Sequence, residues 1–115
     1  MGQLTTHILD TAHGMPAVGV SIRLYALGEQ REMVANAESN ADGRTEYPLL
    51  DAELMVSGSY ELEFDTGTYY RKNSTIDDDP AFLETVVIRI TVKGDENYHV
   101  PLLCSPWSYS TYRGS

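Results

Sequence analysis

Apolar and polar residues alternate with a period of two along much of this chain, which is the pattern of strands that bury one face. The alternation is clearest in residues 18–26, 60–65 and 86–92. Weaker versions of the same pattern occupy residues 4–9, 33–37, 45–47, 99–103 and 107–112. Together these segments predict about eight short strands.

Turn-forming residues separate the predicted strands. They lie at residues 13–16, 40–43, 57–58, 77–80 and 93–97. Many short strands at regular spacing are typical of an antiparallel sandwich or barrel, so we expect an all-β fold. One short helix is predicted at residues 66–73, opened by the capping-type residues Asp65 and Thr66. The length of 115 residues predicts one domain over residues 1–115.

The composition argues against several kinds of partner. Asp and Glu number 17 against 8 Lys and Arg, which gives a net charge of −9. Such a surface repels phosphate backbones and anionic lipid, so we expect no nucleic acid and no membrane as partner. An anionic ligand would need the few positive groups gathered at one spot, because the field of the whole molecule opposes its approach.

Cysteine usage and the first residues bear on the compartment. Cys104 is the only cysteine, so no disulfide can form within the chain. It lies in an apolar run and is expected to be a small buried hydrophobic residue. No signal peptide and no run of the ~20 apolar residues needed to span a membrane is visible. A reducing, cytoplasmic location is therefore predicted.

Four side chains are candidates for chemistry, and none is convincing alone. His7 and His99 lie in predicted strands, where a histidine is usually an ordinary polar residue. Arg44 follows an Asp-Gly turn, and Arg113 lies near the end of the sequence, where solvated arginines are common. Together, two imidazoles and two guanidinium groups can activate water and hold a planar anionic substrate.

Other chemistries have weaker signals. The chain has no His-x-x-x-His or Cys-x-x-Cys pair, so no zinc site is expected. It has no Gly-x-Ser-x-Gly nucleophile turn. The acidic run at residues 77–79 lacks the spacing of a calcium loop and is predicted to be a solvated loop. We therefore expect no metal site.

Four motifs, spread over essentially the whole chain, resemble those of the transthyretin-like family. They are Leu-Thr-Thr-His-Ile-Leu-Asp-Thr-Ala at 4–12, Asn-Ala-Asp-Gly-Arg at 40–44, Tyr-His-Val-Pro-Leu-Leu at 98–103 and Tyr-Ser-Thr-Tyr-Arg-Gly-Ser at 109–115. The last is the most specific, because it is similar to the ending that separates the 5-hydroxyisourate hydrolases of this family from true transthyretins. Small departures occur at Cys104, at Trp107-Ser108 and at residues 79–84, and none coincides with a matched site residue.

The resemblance implies a fold, an assembly and an activity. The implied fold is a transthyretin-like β-sandwich of two four-stranded sheets with one short helix. The implied assembly is a homotetramer, a dimer of dimers with active sites at the dimer–dimer interface. The implied activity is hydrolysis of 5-hydroxyisourate, the product of urate oxidation, to 2-oxo-4-hydroxy-4-carboxy-5-ureidoimidazoline. The reaction opens a ring amide and needs no cofactor.

Residue roles also follow from the resemblance. The matched catalytic positions are His7, Arg44 and His99, and the matched substrate-binding positions are Tyr112, Arg113, Gly114 and Ser115. One neutral histidine would take a proton from water, while Arg44 and the other histidine would polarise the carbonyl; which histidine is the base stays open. Two other functions remain possible: a carrier of small aromatic ligands, and a structural β-sandwich without a site. The histidine pair argues against the second.

Overall fold

A computed structural model describes residues 2–114, in which two four-stranded sheets enclose the core and one short helix lies between strands of the second sheet along the chain. The elements are β1 (Leu4–Asp10), β2 (Met15–Pro16), β3 (Ser21–Leu27), β4 (Arg31–Glu38), β5 (Gly58–Phe64), α1 (Thr66–Lys72), β6 (Val86–Val92), β7 (Tyr98–Cys104) and β8 (Tyr109–Thr111). The predicted all-β sandwich of two four-stranded sheets with one helix is confirmed.

The first sheet carries the features that matter for the site. Its strand order is β2-β1-β7-β8, and the second sheet has the order β4-β3-β5-β6. The central pair of the first sheet, β1 and β7, is parallel, whereas the other pairs are antiparallel. This pairing aligns residues that are 94 positions apart in the sequence, with Leu4 opposite Tyr98 and Thr5 opposite His99.

The period-two pattern separates a buried face from an outer face on each central strand. On β1, Leu4 and Ile8 are fully buried, whereas Thr5 and His7 are only partly buried. The same alternation on the other strands supplies the rest of the core. Its fully buried aliphatic and aromatic side chains include Ile22, Leu24, Leu62, Phe64, Tyr70 and Leu102. Each such side chain contributes about 1.5–3 kcal/mol when it is removed from water.

Three strand predictions need correction. Residues 45–47 form no strand, because the Thr45 hydroxyl bonds to the carbonyl of Tyr47 at 2.6 Å and closes a local turn. Strand β2 was expected to be part of a turn, yet it pairs with the end of β1. Strand β8 is shorter than predicted. The Ser105 hydroxyl accepts hydrogen bonds from the backbone N–H groups of Trp107 and Ser108, and these bonds hold the two residues in a turn.

The helix forms where predicted, but its first residue acts differently. Asp65 makes no side-chain capping hydrogen bond. Its carboxylate instead accepts two hydrogen bonds from the Arg23 guanidinium, at 2.7 and 2.8 Å. The Thr66 hydroxyl bonds to the carbonyl of Leu83 at 3.1 Å. Long-range partners therefore take the place of the predicted local cap.

Asp10, at the end of β1, anchors the helix to the first sheet. Its buried carboxylate accepts hydrogen bonds from the hydroxyls of Tyr69 and Tyr70, at 2.7 and 3.0 Å. It also lies 2.7 Å from His13 Nδ1. It also accepts the backbone N–H of Ala12 at 3.0 Å. Burial by itself would raise the pKa of this carboxyl, but the hydrogen bonds from Tyr69, His13 and Tyr70 outweigh it and hold the pKa below its usual value.

Replacing Asp10 by alanine is expected to lower the free energy of unfolding at pH 7 by about 3–5 kcal/mol, because buried donors lose a charged partner. A depressed carboxyl pKa contributes stability above the unfolded pKa and loses it on acidification. The difference from the parent protein should therefore shrink as the pH falls below 3.8. Urea unfolding monitored by circular dichroism measures both effects. The matched variant Asp77→Ala, in an exposed loop, should change the value by less than about 0.5 kcal/mol; equal losses in the two variants would contradict the anchoring role.

Two further expectations from the sequence can be compared with the structure. Cys104 is buried, as expected, and burial raises the pKa of its thiol to about 11, so the thiol stays protonated and unreactive near neutral pH. Within residues 2–114, the single helix is too short to cross a bilayer. The cytoplasmic location stays a prediction.

Candidate active site

The two strand histidines lie side by side on the outer face of the first sheet. The β1–β7 register places Thr5 opposite His99 and His7 opposite Pro101, so both imidazoles project from the same face. Their ring centroids are 6.4 Å apart, and the ring planes are inclined by 34°. Folding therefore brings together the two residues that the sequence singled out.

Arg44 reaches the same place through a tight loop. The Asn40 side-chain oxygen accepts the backbone N–H of Arg44 at 3.1 Å, and the Gly43 carbonyl accepts the N–H of Ile8 at 2.7 Å. An isolated bridge then pairs Arg44 with His7. Glycine is required at position 43, because its φ is +76° and a Cβ would lie 2.4 Å from the Ile8 carbonyl oxygen.

Arg44 also differs from the other arginines in its electrostatic environment. Each of the other five pairs with an aspartate or glutamate; these are Arg23, Arg31, Arg71, Arg89 and Arg113. No carboxylate within residues 2–114 pairs with Arg44. Within the described residues, this chain of net charge −9 thus has one arginine without a carboxylate partner beside its two outward histidines, which is the local positive spot that an anionic ligand would need.

His99 is held so that its neutral form is favoured. Its Nδ1 lies 2.9 Å from the Thr5 hydroxyl oxygen, within hydrogen-bonding distance. Burial, followed by the positive charges of Arg44 and His7, lowers the pKa of His99 below its usual value of 6.5. At neutral pH the imidazole is therefore uncharged and has a lone pair that can accept a proton.

The end of the described chain packs against His99. The Gly114 N–H donates to the His99 carbonyl at 2.7 Å, and the two residues form an isolated bridge. A Cβ added at Gly114 would lie 2.7 Å from His99 Cδ2, so only glycine leaves the imidazole in place. Ser115 lies outside the described residues.

The other two predicted substrate-binding residues point elsewhere within one chain. The Arg113 guanidinium donates to Glu96 at 3.1 Å and to the Asn97 carbonyl at 3.0 Å, and its Cζ lies 4.2 Å from the centre of the Tyr98 ring. Tyr112 is exposed at the edge between the two sheets. A single chain does not join Arg113 and Tyr112 to His7 and His99, and their substrate-binding role stays a prediction.

An open cavity of about 420 Å³ lies between the loop of Arg44 and the start of β7. Its lining residues are Gln3, Thr5, Arg44, Asn97, Tyr98 and His99. The sequence motifs did not mark Gln3, Thr5 and Asn97 as site residues, although Thr5 lies two positions before His7 and so shares its strand face. Among residues 2–114 no three His, Cys, Asp or Glu side chains gather in a way that would hold a metal ion.

The site is thus a half-buried outer face with a neutral imidazole, a second imidazole and an arginine. A neutral imidazole can act as a general base toward water. A guanidinium can stabilise the negative charge that grows on a carbonyl oxygen under attack. The arrangement is suited to hydrolysis of a planar carbonyl compound.

Comparisons with known proteins agree with this description. The sequence matches the HIUase/Transthyretin family over residues 4–114. A 5-hydroxyisourate hydrolase of Pseudomonas aeruginosa is 50% identical over 117 residues, which cover 100% of this chain and 93% of the relative.

Two solved structures share the fold. (S)-Allantoin synthase superposes with a TM-score of 0.91 and 41% identity over 99% of this chain, and this chain spans only 44% of that protein. Sea bream transthyretin in complex with thyroxine superposes with a TM-score of 0.87 and 25% identity, over 97% of this chain and 94% of that protein. The fold is therefore shared by a protein with an enzymatic name and by a protein that binds thyroxine, so function has to be argued from the site and not from the fold.

Proposed function

Since this chain belongs to the HIUase/Transthyretin family, we propose that it hydrolyses 5-hydroxyisourate to 2-oxo-4-hydroxy-4-carboxy-5-ureidoimidazoline in urate degradation. The observation that carries the proposal is the cluster of His7, His99 and Arg44 on one outer face, with rings 6.4 Å apart and the arginine unpaired by any carboxylate within residues 2–114. The relative from Pseudomonas aeruginosa that is 50% identical to this chain is named a 5-hydroxyisourate hydrolase.

His99 is proposed as the general base. A water molecule attacks the carbonyl carbon of the ring amide while His99, neutral at pH 7, takes its proton. The tetrahedral intermediate then collapses by breaking the bond between the carbonyl carbon and the ring nitrogen. That nitrogen receives a proton from the imidazolium, directly or through His7, so the histidines return to their starting state.

Arg44 is proposed to stabilise the charge that develops. The substrate is flat, polar and acidic, and the attacked carbonyl oxygen becomes an oxyanion. A guanidinium presents a planar fork of N–H donors that matches paired oxygen acceptors. The loop fixes the Arg44 backbone through Asn40 and Gly43, so the side chain starts from a defined position beside His7.

We also propose a homotetramer in which a second chain completes each site. The edge strands of the first sheet and the loops beside them carry exposed apolar side chains, among them Met15, Val18, Trp107 and Tyr109. Exposed apolar area of this kind is typical of a protein interface. The partner chain would close the open cavity beside His99, and the segment of Tyr112 and Arg113 would shape the pocket there. Light scattering coupled to gel filtration tests the mass; a monomer would exclude a shared site.

A single assay separates the hydrolase from the carrier. Urate and urate oxidase generate 5-hydroxyisourate, and its decay is followed by ultraviolet absorbance and circular dichroism with and without this protein. The hydrolase accelerates the decay and yields an optically active product at catalytic protein concentrations. A carrier of aromatic ligands would leave the decay rate unchanged at those concentrations.

No cofactor is proposed, so prior dialysis against a chelator should not change the rate.

Gly114→Ala is expected to lower kcat/KM by up to about 10²-fold, because the added Cβ displaces the His99 ring from its working position. Initial rates of 5-hydroxyisourate decay measure the effect. The matched variant is Gly28→Ala, since a Cβ there meets nothing within 4 Å. Equal rates for the two variants would show that contact between Gly114 and His99 is unimportant.

A further inference from the structure

We propose that Thr5 is a positioning residue for His99, and that its neutral hydroxyl keeps the imidazole oriented in every protonation state that the reaction requires. This inference rests on the proposed role of His99 as general base. It adds a residue that the sequence motifs did not single out as part of the site.

The strand register places Thr5 directly against His99. The two residues are opposite each other in the parallel β1–β7 pair, and the Thr5 hydroxyl oxygen lies 2.9 Å from His99 Nδ1. This is the only side-chain hydrogen bond of Thr5 within residues 2–114. The next residue, Thr6, faces the core and donates to the carbonyl of Val100 at 2.7 Å. Adjacent threonines thus have separate tasks, one in the core and one at the site.

A hydroxyl suits a histidine that must gain and lose a proton. It can accept a hydrogen bond from Nδ1–H or donate one to a bare Nδ1. With Nδ1–H bonded to Thr5, the other ring nitrogen, Nε2, keeps the lone pair that takes a proton from water. When Nε2 is protonated, the Nδ1–H bond to Thr5 persists, so the ring does not turn during the reaction.

The chain contains an internal contrast in His13. Its Nδ1 lies 2.7 Å from the buried, negatively charged carboxylate of Asp10, whereas the partner of His99 Nδ1 is an uncharged hydroxyl. Thr5 carries no charge, so the pKa of His99 is set by burial and by its other neighbours. The charged groups that lower the pKa of His99 are Arg44 and His7, while Arg113 next to Gly114 is paired with Glu96. The Thr5 hydroxyl adds no charge that would offset the effect of burial, Arg44 and His7, which lower the pKa of His99.

Three substitutions at Thr5 test the idea on the whole purified protein. Thr5→Val removes the hydroxyl with little change in volume and should lower kcat about tenfold with KM nearly unchanged, the effect of one hydrogen bond. Thr5→Ser keeps a hydroxyl and should restore kcat to within about twofold. Thr5→Asp adds a carboxylate and should move the acid limb of kcat/KM upward by about one pH unit or more.

A spectroscopic readout keeps this test separate from that of the proposed function. Nitrogen-15 NMR of the His99 ring reports its tautomer and its titration without any substrate. In Thr5→Val the Nδ1–H tautomer should become less populated, whereas Thr5→Ser should resemble the parent. The matched control is Thr6→Val, which also removes a hydrogen bond from β1 to β7 but should leave the His99 spectrum and kcat unchanged.

Two outcomes would overturn the proposal. One is a His99 tautomer and kcat in Thr5→Val that equal those of the parent protein. The other is a loss in Thr5→Ser as large as that in Thr5→Val, which would indicate packing and not the hydroxyl. If the protein failed to hydrolyse 5-hydroxyisourate, the NMR comparison would still decide whether Thr5 orients His99. Should Thr5→Val fold poorly, Thr5→Ala offers the same comparison.

Discussion

Replacing His99 by asparagine should lower kcat for 5-hydroxyisourate hydrolysis by about 10²–10⁴-fold, which is the usual contribution of a general base. Asparagine retains a polar side chain of similar size but cannot take a proton near neutral pH. The fold should be unaffected, because the His99 side chain lies on the outer face of the sheet. The backbone hydrogen bonds of His99, to Gly114 and to strand β1, do not involve the ring. Initial rates under saturating substrate measure the change.

The pH dependence provides a second, independent signature of His99. A base works only when deprotonated, so kcat/KM should fall as the pH drops through the pKa of His99 in the free protein. Because that pKa is lowered, the acid limb should lie below pH 6.5, and the protein should remain fully active at neutral pH. The limb should vanish in His99→Asn and survive in His7→Asn.

The comparison of the three histidines decides the assignment. His13→Asn serves as the control, because His13 lies at the other end of β1 beside Asp10. It should retain the rate and the acid limb of the parent. If the limb vanished in His7→Asn and survived in His99→Asn, the base would be His7, and His99 would take the role of polarising the carbonyl.

Arg44→Gln should lower kcat/KM by about 10²–10³-fold, the loss that follows removal of one oxyanion donor. Arg44→Glu should abolish turnover, because its carboxylate repels both the anionic substrate and the developing oxyanion. Arg44 is exposed and unpaired by carboxylates within residues 2–114, so the free energy of unfolding should change by less than about 0.5 kcal/mol. Turnover and urea unfolding on the same preparations separate the two effects.

Arg89→Gln is the matched control for Arg44. Arg89 is also exposed, but its guanidinium belongs to the ion pairs on the outer face of the second sheet, where it bonds to Glu61 at 2.9 Å. The control removes the same charge from the molecule without touching the site, so kcat/KM should stay near that of the parent. An Arg44→Gln variant with the rate of Arg89→Gln would remove Arg44 from the mechanism.

Much of the fold could be predicted because local pattern and tertiary packing agree. In strands β3, β5 and β6, apolar and polar residues alternate, and the structure buries the apolar face of each strand. The predictions failed where another hydrogen bond, local in one case and long-range in the other, competed with the pattern. Residues 45–47 have β-compatible side chains, yet the Thr45 hydroxyl closes a turn there. Asp65 resembles a helix cap in the sequence, yet its carboxylate accepts hydrogen bonds from the distant Arg23 guanidinium and makes no capping bond.

For the site, the family motifs indicated His7, Arg44 and His99, and the structure brings these residues together. Thr5 was missed because a threonine in a strand has many possible tasks, and its partner is 94 residues away. Arg113 illustrates the opposite case. Its motif predicts a substrate contact, but within one chain the guanidinium is paired with Glu96, so its task depends on what a second chain adds.

The sequence by itself determined which face of each strand is buried, because side chains alternate across a strand and apolar ones leave water. That rule places His7 outward on β1 and His99 outward on β7. Only the tertiary structure decided that β1 and β7 are neighbours, run parallel and align Thr5 with His99. Pairing between strands so far apart in the chain depends on the packing of the whole sandwich, and no local stretch of residues encodes it.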